Sequence, residues 1–181
     1  MPELYTYTGS RISTGVKDKF GDAGSVQITD AMILVWINNG IRQIVSQSPF
    51  LKKTAVCNLV AGTAAYDLST AFPTERIHSY HSVLVDGIPI KMVEFSEYQA
   101  LINANTLTAT TGTPRYGTDF GGTLTLWPVP DTTVASGIRI YFSAYPADLT
   151  IISGTLTVPD RFYNALEDYV FAQALELDEN F

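Results

Sequence analysis

Residues that commonly carry chemistry are scarce in this chain: 181 residues contain one cysteine and two histidines. Cys57 has no second thiol to pair with, and its apolar setting (Thr54 to Val60) gives it the part of a small buried hydrophobe. A lone cysteine, with no charged stretch leading into an apolar one at the start, gives the expectation of synthesis in a reducing cytoplasm. Charge is also sparse, at 16% of residues against roughly 25% for an average domain. Few charges on a small protein leave two readings open: a surface that meets other protein, or one rich in Thr and Ser. Basic runs are absent as well. Lys52-Lys53 is the only adjacent basic pair and the net charge is −7. A tightly held nucleic acid is therefore not expected, and a polybasic membrane contact is excluded. The longest apolar run, residues 31–37, is far too short to span a bilayer.

What is present is a folding sequence. Hydrophobic residues make up 46% of it, enough for a real core at this length without metal or disulfide. Residues 4–20 form a weak helix candidate, diluted by Gly9, Gly15 and several threonines. Thr29 or Asp30 caps a stronger helix that runs to Gln47 and stops before Pro49. That helix is apolar on two sides. Ile28, Met32, Val35 and Trp36 line one, and Ile33, Ile37, Ile41 and Ile44 line the other, which implies burial between several elements or against a neighbouring subunit.

From Leu51 the pattern changes to short strands. Residues 51–60 and 65–68 flank Ala61-Gly62-Thr63-Ala64 and are expected to form a hairpin. Residues 77–85 and 88–93 flank Asp86-Gly87, the strongest two-residue hairpin turn. Ser96 is expected to cap a short helix to Asn103, followed by a Thr-rich loop over 105–111. Residues 112–149 then read as a β meander with strands at 116–120, 123–127 and 138–145. Pro159 opens a final helix to Phe181, with Phe162, Leu166, Tyr169, Val170 and Gln173 on one face and Ala165, Ala172 and Leu175 in support. The fold class is therefore α+β. N- and C-terminal helices (1–50 and 159–181) form a small bundle, and an antiparallel β meander or sandwich (51–158) is inserted, all as one compact unit.

Each candidate for catalysis fails physically. His78 and His81 stand three apart in a strand, on opposite faces, with no third ligand. Gly9 to Lys17 imitates a phosphate loop, but its spacing is wrong and no strand precedes it. Asp18 with Asp22, and Glu176 with Asp178 and Glu179, lie near helix ends on polar faces that suit solvation. Glu94 and Glu97 border a helix start, where negative charge is favourable. No cofactor, metal or catalytic set is expected, and the chain reads as a non-enzyme. The aromatics Tyr116, Phe120, Trp127, Tyr141, Phe142 and Tyr145 allow either a core or subunit interface or a sugar-stacking platform.

Several landmarks recur in a telling order: Trp36-Ile37-Asn38 in the strong helix, Ala65 to Leu68, Arg76-Ile77, and Val83 to Pro89 around Asp86-Gly87. They continue with Gly112 to Tyr116, Leu124 to Asp131, Ile140 to Pro146, and Pro159 before the last helix. In this order they resemble the head-to-tail adaptor (connector) proteins of tailed bacteriophages, over nearly the whole chain. The resemblance implies a structural virion protein made in the host cytoplasm and placed at the head–tail junction. It implies a homo-oligomeric ring, usually of about twelve copies, beneath the portal protein and bound to tail or neck proteins. DNA would pass through without specific binding, and no membrane is involved. Interface candidates are Ile33, Ile37, Ile41, Ile44, Trp127 and Phe181. A tail-completion or terminator protein and a carbohydrate-binding β module are the alternatives.

Overall fold

The computed structural model describes residues 7–22, 24, 27–103 and 111–178. It is mixed α+β with helices towards both ends of the chain, and it divides into two compact units, residues 1–51 with 145–181 and residues 52–144.

In the helical unit, α1 (Gly9–Phe20) and α2 (Asp30–Gln47) precede α5 (Tyr163–Asp178). Thr29 caps α2 by accepting the Met32 N–H at 3.3 Å, and Asp30 in the first turn favours the positive end of the helix dipole. Ile33, Ile37, Ile41 and Val45 are all buried. Spaced four apart, they form the inner stripe that meets Leu166, Val170 and Ala174 of α5 and Ile12 and Val16 of α1 in one core. On the second stripe Val35 is 56% exposed, while Met32 and Trp36 are half-buried. Gly40 explains itself here. A Cβ on it would lie 2.6 Å from Leu166 Cδ1 and 2.8 Å from Tyr169 Cδ1, so its missing side chain lets α2 and α5 close.

The last helix differs from its expected form. Pro159 caps a short 3-10 turn, Asp160–Phe162, and the α-helix begins at Tyr163. Its buried face is Tyr163, Leu166, Val170 and Ala174, whereas Leu175 is exposed, as are Ala165 and Ala172. Residues 145–158 also group with the helices rather than with the strands. Leu156 and Val158 are buried in the helical core, and Tyr145, Leu149 and Ile152 pack against it.

The β unit holds one seven-stranded sheet in the order β1-β7-β3-β4-β5-β6-β2. The strands are β1 (Lys52–Leu59), β2 (Ala65–Asp67), β3 (Ile77–Val85), β4 (Ile88–Met92), β5 (Tyr116–Phe120), β6 (Thr123–Trp127) and β7 (Val134–Ala144). Two short helices, α3 (Leu68–Ala71) and α4 (Phe95–Asn103), fall between them. The Asp86-Gly87 hairpin forms as expected, with φ of 50° and 76° at its two turn residues. Gly121-Gly122 likewise joins β5 to β6.

Three pairings depart from the sequence reading. Residues 61–64 do not close a hairpin, since β1 pairs with β7 and β2 with β6. The Gly62 N–H goes to the Pro130 carbonyl and the Ala64 carbonyl accepts the Leu126 N–H, so the linker serves other segments. The meander is also interrupted: β7 crosses from β6 to lie between β1 and β3. And β4 pairs with β5 in parallel, with α4 as the crossover, so the sheet is not wholly antiparallel. Strands consecutive in the chain, β1 and β2, thus end the strand order on opposite sides. The core of this unit is Leu59, Val83, Val85, Leu124, Leu126, Ile138, Ile140 and Phe142, each at most 2% exposed.

Candidate functional site

A concentrated polar cluster lies between α1 and the start of α2. Helical spacing of four puts Ser13 and Lys17 on one face of α1. Both donate to a single oxygen, Asp30 Oδ1, at 2.7 Å and 2.6 Å. A cavity of about 260 Å³ beside them is lined by Ser10, Ser13, Thr14, Lys17, Asp18 and Asp30, with Ile152. The Lys17 ammonium, and after it the Ser13 hydroxyl, hold the Asp30 carboxyl below its ordinary value of 3.8. This is the imitation phosphate loop of the sequence, and it is helix, not loop. The lysine that would face a phosphate is instead 8% exposed and paired with a carboxylate. The cluster ties two helices together.

A pH test follows from that geometry. A depressed carboxyl contributes stability that is complete above the unfolded value and is lost as pH falls through the folded one. Asp30→Asn should therefore be less stable than the parent at neutral pH, and the two melting temperatures should converge below about pH 4. A gap that persists unchanged into acid would show that the ion pair is not its source.

Asp22, read as a solvated carboxylate, is buried at 8% exposure. Its Oδ2 accepts the N–H groups of Gln27 at 2.9 Å and Ile28 at 2.7 Å, so it fastens the chain between α1 and α2. Asn38 does similar work. Its amide donates to the Leu149 carbonyl at 3.0 Å and accepts the Leu149 N–H at 2.8 Å, as a backbone neighbour would. One turn on, Arg42 pairs with Asp148 at 2.7 Å. The landmark asparagine of α2 thus anchors the segment that follows β7. Sequence reasoning did not foresee this, because the partner lies 111 residues away.

The histidines stay apart in role. His81 Nε2 shares a hydrogen bond of 2.8 Å with Ser143 Oγ. Among the described residues no group of three or more His, Cys, Asp or Glu gathers where a metal ion could bind. Cys57 is half-buried, and burial pushes its thiol up to about 11, away from the reactive thiolate. Lys91 and Glu97 form an exposed pair at 2.7 Å. Tyr80 donates to Asp119 Oδ2 at 3.0 Å, and burial, reinforced by that carboxylate, raises its hydroxyl well above the ordinary value.

The interface candidates land in different places. Ile33 and Ile37 are fully buried and Ile41 is 5% exposed, all inside the helical unit's own core. A second chain could touch them only by opening that core. Ile44 is half-buried against the same cluster. Trp127 is half-buried at the end of β6, its ring tilted against Tyr116 with centroids 6.0 Å apart. Phe181, Glu179 and the loop expected over residues 105–111 lie outside the described residues, apart from Thr111.

Of the aromatics weighed as a platform, Phe142 is fully buried. Phe120 is the most open of them at 62% exposure, and Phe95 stacks on it with centroids 4.3 Å apart and planes 21° from parallel. Phe120 ends β5 where the β5–β6 hairpin turns, and Phe95 is the first residue of α4. Phe95 escaped notice because a lone Phe at a helix start carries no pattern. One face of the Phe120 ring is already covered by Phe95, which weakens the case for sugar stacking.

Among the described residues no helix is long and apolar enough to cross a membrane. Against protein families, a model described as SU10 adaptor protein matches residues 7–180. No curated protein matches the chain.

Proposed function

We propose, from the premise that the chain belongs to the SU10 adaptor protein family, that it is the head-to-tail adaptor of a tailed-phage virion. The family makes it a phage structural adaptor, a component of the virion. Beyond that, in our reading it forms a ring of about twelve copies beneath the portal protein and joins the capsid to tail or neck proteins. Its role is geometric rather than catalytic.

The observation that carries the reading is the extent of the match, residues 7–180, which takes in both units. The chemistry is in keeping with it. The polar clusters built from Ser13, Lys17, Asp22, Asp30, Asn38 and Arg42 are spent on holding backbone segments in place. A net charge of −7 per copy, repeated around a ring, would repel DNA passing through it rather than bind it.

Averaged images of virion necks, with this chain identified by a fused tag, test the proposal. A ring of the chain in the layer next to the portal is the expected result. Tagged density one layer further down would make it a tail-completion protein instead, and a neck without the chain would end the adaptor reading altogether.

A further inference from the structure

The strand order of the β unit ends on one side at β1, and the strands at that end carry basic but no acidic residues. β1 ends the strand order and, among the described residues, pairs only with β7. Alternate residues along it therefore turn their backbone N–H and C=O groups away from the sheet. Lys52, Thr54, Val56 and Asn58 share its outer face and are all exposed. The register sets Lys52 beside Ser143, Thr54 beside Tyr141 and Val56 beside Arg139.

In a chain with 18 acidic and 11 basic residues, none of the three adjacent strands β1, β7 and β3 contains Asp or Glu. They carry Lys52, Lys53, Arg139 and both histidines. Lys53 is answered by Glu75 at 2.8 Å. Lys52 and Arg139 have no acidic partner among the described residues. A cavity of about 340 Å³ opens here, lined by Lys52, Lys53, Thr54, His81 and Tyr141, so every polar lining side chain can donate a hydrogen bond.

From this edge and its charge we propose that β1 is a docking strand for an extended acidic segment of a partner protein. The segment pairs its backbone with the open edge of β1 and sets acidic side chains on the outer face. Same-face residues recur every second position, so an acid opposite Lys52 and another four residues along, roughly 13 Å away, meet the two unanswered cations. Val56, 45% exposed, takes an apolar side chain between them. Edge lysines alone would serve to keep strands of other molecules off. Arg139 is on β7, one strand in from the edge, where such protection has no need of it. A nucleic acid lacks a peptide backbone whose evenly spaced N–H and C=O groups could extend the ladder, and the whole-chain charge of −7 repels it. The inference stands on the β unit alone and does not depend on a place in the neck.

The test uses the full chain and a capped peptide of alternating Glu and Val as the probe. Fluorescence anisotropy should register binding, and hydrogen exchange should slow at residues 52–59. Lys52→Glu with Arg139→Glu, both solvent-facing, should weaken binding on the order of tenfold, as should Gln in place of Glu in the peptide. A peptide with proline at its centre should lose the exchange protection, because it cannot complete the ladder. Unchanged exchange at Ile138 and Ile140 would show that the doubly substituted chain is still folded. Absence of binding, equal binding of the Gln peptide, protection away from β1, or equal binding of an oligothymidine would each overturn the proposal.

Discussion

Ile41→Asp is expected to unfold the helical unit. Position 41 is 5% exposed and lies on the inner stripe of α2, between Ile37 and Val45 and within the core shared with α1 and α5. The side chains packed in that cluster are aliphatic or aromatic. Burying the charge without a partner costs about 3–5 kcal/mol or more, a large part of the stability of any domain. The carboxyl would partly escape by staying protonated, which raises its folded pKa. The sign then follows: the folded state holds the proton longer than the unfolded one, so the variant is least unstable in acid and loses stability as pH rises. Hydrogen exchange read separately over α1, α2 and α5 is the appropriate measurement. Protection equal to the parent's at neutral pH would mean that position 41 is solvated, contrary to the packing described.

Phe142→Ala should destabilise the β unit by about 3–5 kcal/mol. Phe142 is fully buried and lies in β7, opposite Lys53 of β1 on one side and Tyr80 of β3 on the other. Truncation there removes a large apolar side chain from between two ladders, and a sheet held on both sides can only partly close the void. Urea unfolding followed by the fluorescence of Trp127, in the same unit and with Trp36 of the helical unit replaced by Phe, would report the change. A loss below about 1 kcal/mol would show that the ring does not fill the core.

Much of this was legible in the sequence wherever its cause was local. Thr29 as the α2 cap depends on a side chain reaching three residues along its own helix. Asp86-Gly87 is a turn because its two residues tolerate positive φ. Strand positions 116–120 and 123–127 follow from alternation interrupted by Gly121-Gly122. The errors share a different character. The hairpin assigned to residues 61–64 and the meander assigned to 112–149 both took chain neighbours for sheet neighbours, although β1 and β3 each have β7 as a partner and β2 has β6. Leu175 was assigned to the support of a buried face and is 44% exposed, because an apolar residue can fall outside the arc that a single packing partner covers.

The site divides along the same line. One cysteine, two histidines and few charges led only to an expectation that no catalytic set is present, whereas the ordered landmarks were enough to point to the phage adaptor family. Periodicity could say that Ile33, Ile37 and Ile41 needed burial, but not whether a neighbouring chain or the same chain would supply it. Only the tertiary structure decided that α5, more than a hundred residues on, covers them. It also decided that Asn38 anchors Leu149, and that the acid-free strands β1, β7 and β3 lie side by side with an open edge. The physical reason is one of range. Backbone sterics, capping and side-chain period act over a few residues and are written in order along the chain. Sheet partners and core contacts depend on which distant surfaces exclude water from each other best, a comparison that exists only once the chain has folded.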